Sequence, residues 1–215
     1  MNLNFLKRKN SDESISQPYV DLGLPSGTLW AAMNIGAEKV TDAGLYFAGG
    51  ETQGYLGISN ERRLNWDDYK FGNESEITKY NSTDMLSKLE LVDDAASVNW
   101  GGKWRMPTVK QIRELLNPKN CTNEWVENYN GSGVNGRLFS SVRNGNKLFV
   151  PAAGYHLAEV GKVGWIWSCE LNDEFERAAQ CLAIGKCNNP NNNHRGAVLL
   201  ANDRCIGIPV RPVFE

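Results

Sequence analysis

Short alternations of apolar and polar residues, broken by Gly, Pro, Asn and Asp, run through most of the chain, and helical spacing is rare. Tyr19–Leu24 places Val20, Leu22 and Leu24 on one side, a strand pattern closed by Pro25-Ser26-Gly27. Leu29–Ile35 and Gly44–Ala48 read as further short strands. Residues 49–82 are rich in polar residues and Gly with little periodicity, and are expected to form long surface excursions. The clearest helix follows Pro107-Thr108, where Val109, Ile112, Leu115 and Leu116 recur at helical spacing. Thr108 and Gln111 fit a capping box, and Asn117-Pro118 stops the helix. A second short helix is expected within Thr83–Leu91 and a further helical turn within Asp93–Val98.

Beyond residue 120 the pattern turns to strands. Arg137–Val142 and Lys147–Val150 flank Asn144-Gly145, a dipeptide that favours a tight hairpin turn. Trp165–Leu171, Ala178–Ile184, Val198–Ala201 and Ile208–Phe214 complete a strand-rich C-terminal half, with 187–196 a loop by its Asn and Pro content. Residues 1–18 read as a flexible lead-in ended by Pro18. No linker composition interrupts 19–215, so one domain is expected. Five tryptophans (Trp30, Trp100, Trp104, Trp165 and Trp167) are expected to share a buried core. Arg105 and Arg211 should pair with carboxylates or carbonyls beside it, Asp93 and Asp94 being candidate partners, since unpaired buried charge is costly.

Composition narrows the partners. The 215 residues are 41% hydrophobic with a formal net charge of -2, so charge offers no reason to expect nucleic acid or an anionic membrane surface. No apolar run approaches the ~18 residues of a membrane span. The N-terminal Leu3, Phe5 and Leu6 are interrupted and precede the basic residues, the reverse of a secretory signal. Either the protein acts without its own export signal or one has been removed.

Catalytic chemistry is sparse. No phosphate-cradling, dinucleotide-binding or nucleophile-elbow motif occurs. His156 and His194 are the only histidines, and the latter reads as an exposed loop residue. The acid pairs Asp67-Asp68, Asp93-Asp94 and Asp173-Glu174 read as solvated turns. Asn189-Pro190-Asn191 with Asn202-Asp203 resembles calcium-binding stretches of sugar-binding C-type lectins, but only Asp203 is charged, and calcium sites draw their affinity from several carboxylates. No metal and no cofactor are expected. Four of the five cysteines, Cys169, Cys181, Cys187 and Cys205, crowd into the last 50 residues or so without a CxxC spacing.

A series of segments in order, YVDLGLPSGTLWAAMNIGA (19–37), GLYFAGGET (44–52), DDAASVNWGGKWRMPT (93–108), LFVPAAGY (148–155), GWIWS (164–168) and GIPVRPV (207–213), resembles the Fibrobacter major paralogous domain family. The resemblance covers about residues 19–215. It implies an α+β, C-type lectin-like fold of the formylglycine-generating-enzyme branch, with short helices packed on a twisted antiparallel sheet. The reactive cysteine pair of the enzymes in that branch has no match here, so the resemblance implies a fold and not their activity. The chain also resembles the variable proteins of diversity-generating retroelements, in which adenine-directed copying errors replace the end of a gene. Asn codons altered in this way cannot encode Gln, Lys, Glu, Met or Trp.

The region from about 165 to 215 is the expected variable segment. Cys169, Cys181, Ala183, Leu199, Leu200, Ala201, Asp203, Cys205 and Ile206 are the expected ligand-binding surface. Trp167, Leu182, Ile184, Val198 and Val210 should point into the core from the same strands, because strand neighbours alternate faces. Asn188, Asn189 and Asn191–193 fit either unaltered Asn codons or a polar loop. The expected function is a hypervariable ligand- or receptor-binding protein such as an adhesin or phage receptor-binding protein, and not an enzyme. Its partner would be a protein or glycan on another cell or particle, which places it on a virion or cell surface. The alternatives are a fixed-surface cell-surface or pilus-associated adhesion module of the same family and, further off, a formylglycine-generating-type enzyme.

Overall fold

The computed structural model describes residues 15–57, 65–155, 159–186 and 196–215. The fold is α+β with strands predominating. In chain order the elements are β1 (Tyr19–Asp21), β2 (Leu29–Ala31), β3 (Tyr46–Phe47), α1 (Ala95–Trp100), β4 (Trp104–Arg105), α2 (Val109–Leu116), β5 (Cys121–Val126), β6 (Gly136–Ser141), β7 (Lys147–Pro151), β8 (Val163–Leu171), β9 (Ala178–Gly185), β10 (Ala197–Asp203), β11 (Ile208–Pro209) and β12 (Val213–Phe214). All the strand pairings within its sheets are antiparallel. No helix among the described residues is long and apolar enough to cross a membrane.

The first and last strands are drawn together. β12 lies between β2 and β4 in the sheet β1-β2-β12-β4, with Val213 opposite Trp30 on one side and Arg105 on the other. The centre of the molecule is the sheet β10-β9-β8, which has a hydrophobic core on each face. Trp167, Cys169, Ala179 and Cys181 face a core with Phe47, Phe71, Tyr80, Met106 and Ile208. Ile166, Leu182, Ile184 and Ala197 face a second core with Trp30, Ile112, Leu115, Phe139 and Val150. α2 packs on this second side. The third sheet, β5-β6-β7, supplies Phe139 and Val150 to it.

Local signals hold where their partners are local. The Thr108 side chain accepts the Gln111 N–H at 3.2 Å and the Gln111 side chain accepts the Thr108 N–H at 2.8 Å, closing the capping box at the start of α2. β6 and β7 form the expected hairpin, with Gly145 at φ +75° in its turn, a conformation that costs glycine little. α1 is the expected turn after Asp93, with Asp94 as its N-cap.

The helix expected within Thr83–Leu91 does not form. Asp84 accepts the N–H groups of Tyr80, Asn81 and Leu86, and Asn81 accepts those of Thr83 and Asp84. Side chains of this type compete with the helical ladder for backbone donors. The end of the segment then serves β8 as a strand would, Leu89 donating to Cys169 O and Leu171 to Ser87 O. Residues 49–82 are not simply a surface excursion either. Tyr69, Phe71 and Tyr80 are buried and meet edge-on in sequence, at centroid distances of 5.9 and 5.6 Å. The strand expected over Ile208–Phe214 is broken between Pro209 and Val213, where Val210 O instead accepts the Ile35 N–H and Pro212 has no N–H to offer.

Trp30, Trp104 and Trp167 are buried, whereas Trp100 and Trp165 are half-buried. They do not share one core. Trp30 and Trp167 sit on opposite sides of the central sheet, and Trp104 packs edge-on between Trp100 and Phe214. Arg211 is fully buried and bonds to carbonyls as expected, through Asn34 Oδ1 at 2.7 Å and the backbone of Ala31, Ala32 and Phe149. Burial lowers its pKa to about 9, which leaves it charged at neutral pH. Arg105 bonds the carbonyls of Gly102 and Trp104.

Candidate functional site

The nine residues expected to form one exposed surface divide. Cys169, Cys181, Ala183 and Cys205 are buried, at 2, 0, 7 and 5% exposure. Leu199, Asp203 and Ile206 are half-buried, and Leu200 and Ala201 are exposed. The four buried residues correct the expectation. Alternation along β8 and β9 does separate Trp167 from Ile166 and Cys181 from Leu182, but both faces of these strands meet a core. Cys169 and Cys181 therefore lie opposite Ile166 and Leu182 without reaching solvent. Cys205 is turned inward because the chain bends back after β10, Ile206 N–H donating to Asp203 O at 3.1 Å and Arg204 O accepting Gly49 N–H at 2.6 Å.

The parity of β10 is also the reverse of the expectation. Ala197 belongs to the second core and Leu199 packs against it, opposite Leu182, while Val198, expected inside, is only half-buried. Leu182, Ile184, Val210 and Trp167 are in the core as expected.

What remains at the surface is a compact set along β10 and the bend after it: Leu199, Leu200, Ala201, Asp203 and Ile206. On the Leu200 side of the sheet, register places Val198, Ala183 and Trp165 in one row across the three strands. Half-buried Tyr155 meets Trp165 edge-on at 6.2 Å at the end of that row. Asp203 lies 3.5 Å from Arg177, which also pairs with Glu74 at 3.0 Å. Asn202 accepts the Asp203 N–H. The Asn189–Asn191 part of the calcium-like stretch, and His156, Cys187 and His194, lie outside the described residues.

The buried thiols are poorly suited to chemistry. Burial pushes Cys169 and Cys205 up to about 12 and Cys121 up to about 11, and raises Cys181 further still. All four are free and protonated at neutral pH. Cys181 donates weakly to Leu200 O at 3.4 Å. Serine at Cys181 would put a more polar group in a fully buried place, so that position does not tolerate change as an exposed one would.

Arg204 was not legible as a structural residue. It is fully buried beside the candidate surface, its Nε donating to Tyr69 Oη at 2.8 Å and its Nη atoms to the backbone carbonyls of Lys79, Tyr80 and Glu176 at 2.9–3.1 Å. It ties the bend after β10 to the 66–80 segment. No spacing along the chain could reveal this, because its partners lie more than twenty residues away.

The pair Asp93-Asp94 is buried rather than solvated. Asp93 accepts Lys70 Nζ at 2.7 Å, Lys79 Nζ at 2.6 Å and Tyr80 Oη at 2.7 Å. Burial opposes its ionisation, but these bonds together hold its carboxyl below the ordinary value. Asp94 receives the N–H groups of Ser97 and Met106, yet burial dominates and raises its carboxyl. The two therefore act oppositely in acid. Asp93 contributes stability above its unfolded value of 3.8 that is lost as pH falls through its lower folded value. For Asp94, folded above 3.8, the contribution is present below that value and lost as pH rises through the folded one. Asp93→Asn is accordingly expected to cost stability at pH 7 and to cost much less at pH 3, measured as the difference in urea midpoints between variant and wild type. An equal cost at both pH values would contradict the charged role of Asp93.

The fold and surface define a strand-rich α+β domain with a central sheet packed on both faces and, among the described residues, one terminal strand whose outer edge is not paired. No family model, curated protein or solved structure matches the chain.

Proposed function

We propose that the protein is a ligand- or receptor-binding domain on a C-type lectin-like scaffold, displaying a surface that a diversity-generating retroelement rewrites. The observation that carries the reading is the contrast within one sheet. β8 and β9 are packed on both faces, while β10 and its following bend present Leu199, Leu200, Ala201, Asp203 and Ile206 at least partly to solvent. Varied side chains at the exposed Leu200 and Ala201 cost little, since exposed substitutions usually change stability by about ±0.5 kcal/mol, while Leu199 and Ile206, each packed against a core, favour apolar replacements. Exposed apolar side chains such as Leu200, at 42%, suit a contact surface. The short helices on antiparallel sheet suit the proposed scaffold, and the ordered segments from 19–37 to 207–213 support membership of the Fibrobacter paralogous family. Cys169, Cys181, Ala183 and Cys205 are left out of the varied set, for each would carry a core penalty.

The partner on this reading is a protein or glycan on another cell or particle, with the domain on a virion or cell surface. Sequencing sister copies of the gene tests it. The codons of Leu199, Leu200, Ala201, Asp203 and Ile206 should vary, those of Glu170, Gln180 and Lys186 should not, and an adenine-rich near-copy of the segment should lie beside a reverse transcriptase gene. Invariant copies without such a template would leave the fixed-surface adhesion module. In the protein itself, Leu200→Ser combined with Ala201→Tyr should leave the melting transition nearly unchanged.

A further inference from the structure

The two edges of the central sheet are treated differently. Along β8 the outer edge is covered by three other segments. Gly154 N–H donates to Val163 O, Cys169 N–H to Pro107 O, Leu89 N–H to Cys169 O and Leu171 N–H to Ser87 O. Among the described residues nothing comparable occurs along β10. Gly185 N–H donates to Gly196 O and Arg204 N–H to Arg177 O, and Cys181 Sγ reaches Leu200 O. These bonds place the even-numbered residues of β10 in the hydrogen-bonded pairs with β9. In an antiparallel ladder the intervening residues turn their N–H and C=O groups the other way, so those of Ala197, Leu199 and Ala201 point to the open edge. Among the described residues they have no hydrogen-bond partner there.

Uncovered edges are normally blunted with Lys, Pro or inward charge. From Ala197 to Asn202 the strand reads AVLLAN, with no charged residue and no proline. Its one charge, Asp203, sits at the far end beside Arg177. The sequence is also compatible with its own reversed copy. About a two-fold axis at Leu200, Leu200 faces Leu200, Leu199 faces Ala201, Val198 faces Asn202, and Asp203 faces Ala197, so no like charges meet. The outward groups of Leu199 and Ala201 then fall opposite each other as hydrogen-bonded pairs, each exchanging two N–H···O=C bonds. Leu200 and its copy form the closer, non-hydrogen-bonded pair, which covers a side chain otherwise 42% exposed. A net charge of only -2 offers little repulsion.

We propose that two copies of this chain associate through antiparallel pairing of their β10 edges, joining their central sheets into one continuous six-stranded sheet. This pairing uses main-chain groups and does not rest on the display reading; it claims Leu200 for the contact between copies, so that in a dimer the displayed residues are those beyond the axis, Asp203 and Ile206. Invariant gene copies would leave it intact, and a monomeric protein would leave the display reading intact.

The test is the solution mass of the full chain by light scattering and sedimentation over a wide concentration range. A dimer is expected, and Leu200→Lys, which opposes two ammonium groups at the axis, should convert it to monomer. Ala201→Pro should do the same, since the N–H it removes points outward and not to β9. Lys at position 200 lies at an exposed side chain and decides the question even if proline disturbs the strand. Val98→Lys, exposed on α1, should remain dimeric. A monomer at every concentration overturns the proposal and assigns the edge to a strand of another protein or to solvent. A dimer that Leu200→Lys leaves intact overturns it as well.

Discussion

Arg204→Met should lower the stability of the domain by about 3–5 kcal/mol, since four buried acceptors each lose a donor at about 1–3 kcal/mol, partly offset because the charge is no longer buried. The side chain is fully buried and serves four acceptors: Tyr69 Oη and the carbonyls of Lys79, Tyr80 and Glu176. Methionine fills much of the space but donates nothing, so three backbone carbonyls and a phenol lose a buried donor. Arg204→Lys keeps the charge yet should recover only part of the loss, because an ammonium lacks the planar fork that reaches several acceptors at once. Arg177→Met provides the contrast. Its pairs with Glu74 and Asp203 are exposed, and exposed pairs are typically worth about 0–1 kcal/mol. Urea unfolding of the three variants checks the order. Equal small losses at Arg204 and Arg177 would show that the bend after β10 is not anchored as described.

Trp167→Ala should cost a similar amount, about 3–5 kcal/mol. Trp167 has no solvent exposure, packs in the core shared with Phe47, Met106 and Cys181, and donates its indole N–H to Phe47 O at 2.8 Å. Alanine leaves a large cavity and an unpaired carbonyl together. Trp167→Phe retains most of the packing and should separate the two losses, the smaller fall reporting the hydrogen bond and residual void. Leu200, two strands away in the same row, gives the surface comparison, since Leu200→Ala should move the unfolding midpoint little. A loss at Trp167 no larger than that at Leu200 would contradict the packing of the sheet on both faces.

The buried cysteines show how a pattern can be read correctly and still mislead. β9 runs AAQCLAIG with Gln180 as its only polar side chain. A nearly continuous apolar run of that kind marks a strand covered on both faces, and it was the available sign that Cys181 and Ala183 would not be exposed. In β10, by contrast, VLLAN alternates too weakly to set its parity. Leu199 faces the second core and Leu200 the solvent only because Leu182 and Cys181 stand opposite them in β9. The helix expected near Thr83–Leu91 failed for a local reason, as Asn81 and Asp84 captured the backbone donors a helix would have used.

By itself the sequence determined the features whose interactions close within a few residues: the Thr108–Gln111 capping box, the Asn144-Gly145 hairpin, the helical turn within Asp93–Val98 and the strand character of β8, β9 and β10. It also carried the candidate surface as far as Leu200, Ala201 and the half-exposed residues near them. Only the tertiary structure decided that the central sheet has two cores, that Arg204 is clamped by the 66–80 segment, and that one sheet edge is covered while, among the described residues, the other is open. Those outcomes depend on contacts between residues from twenty to more than a hundred positions apart. Periodicity reports which side chains share a face, and what covers that face is settled by the segment that happens to fold against it.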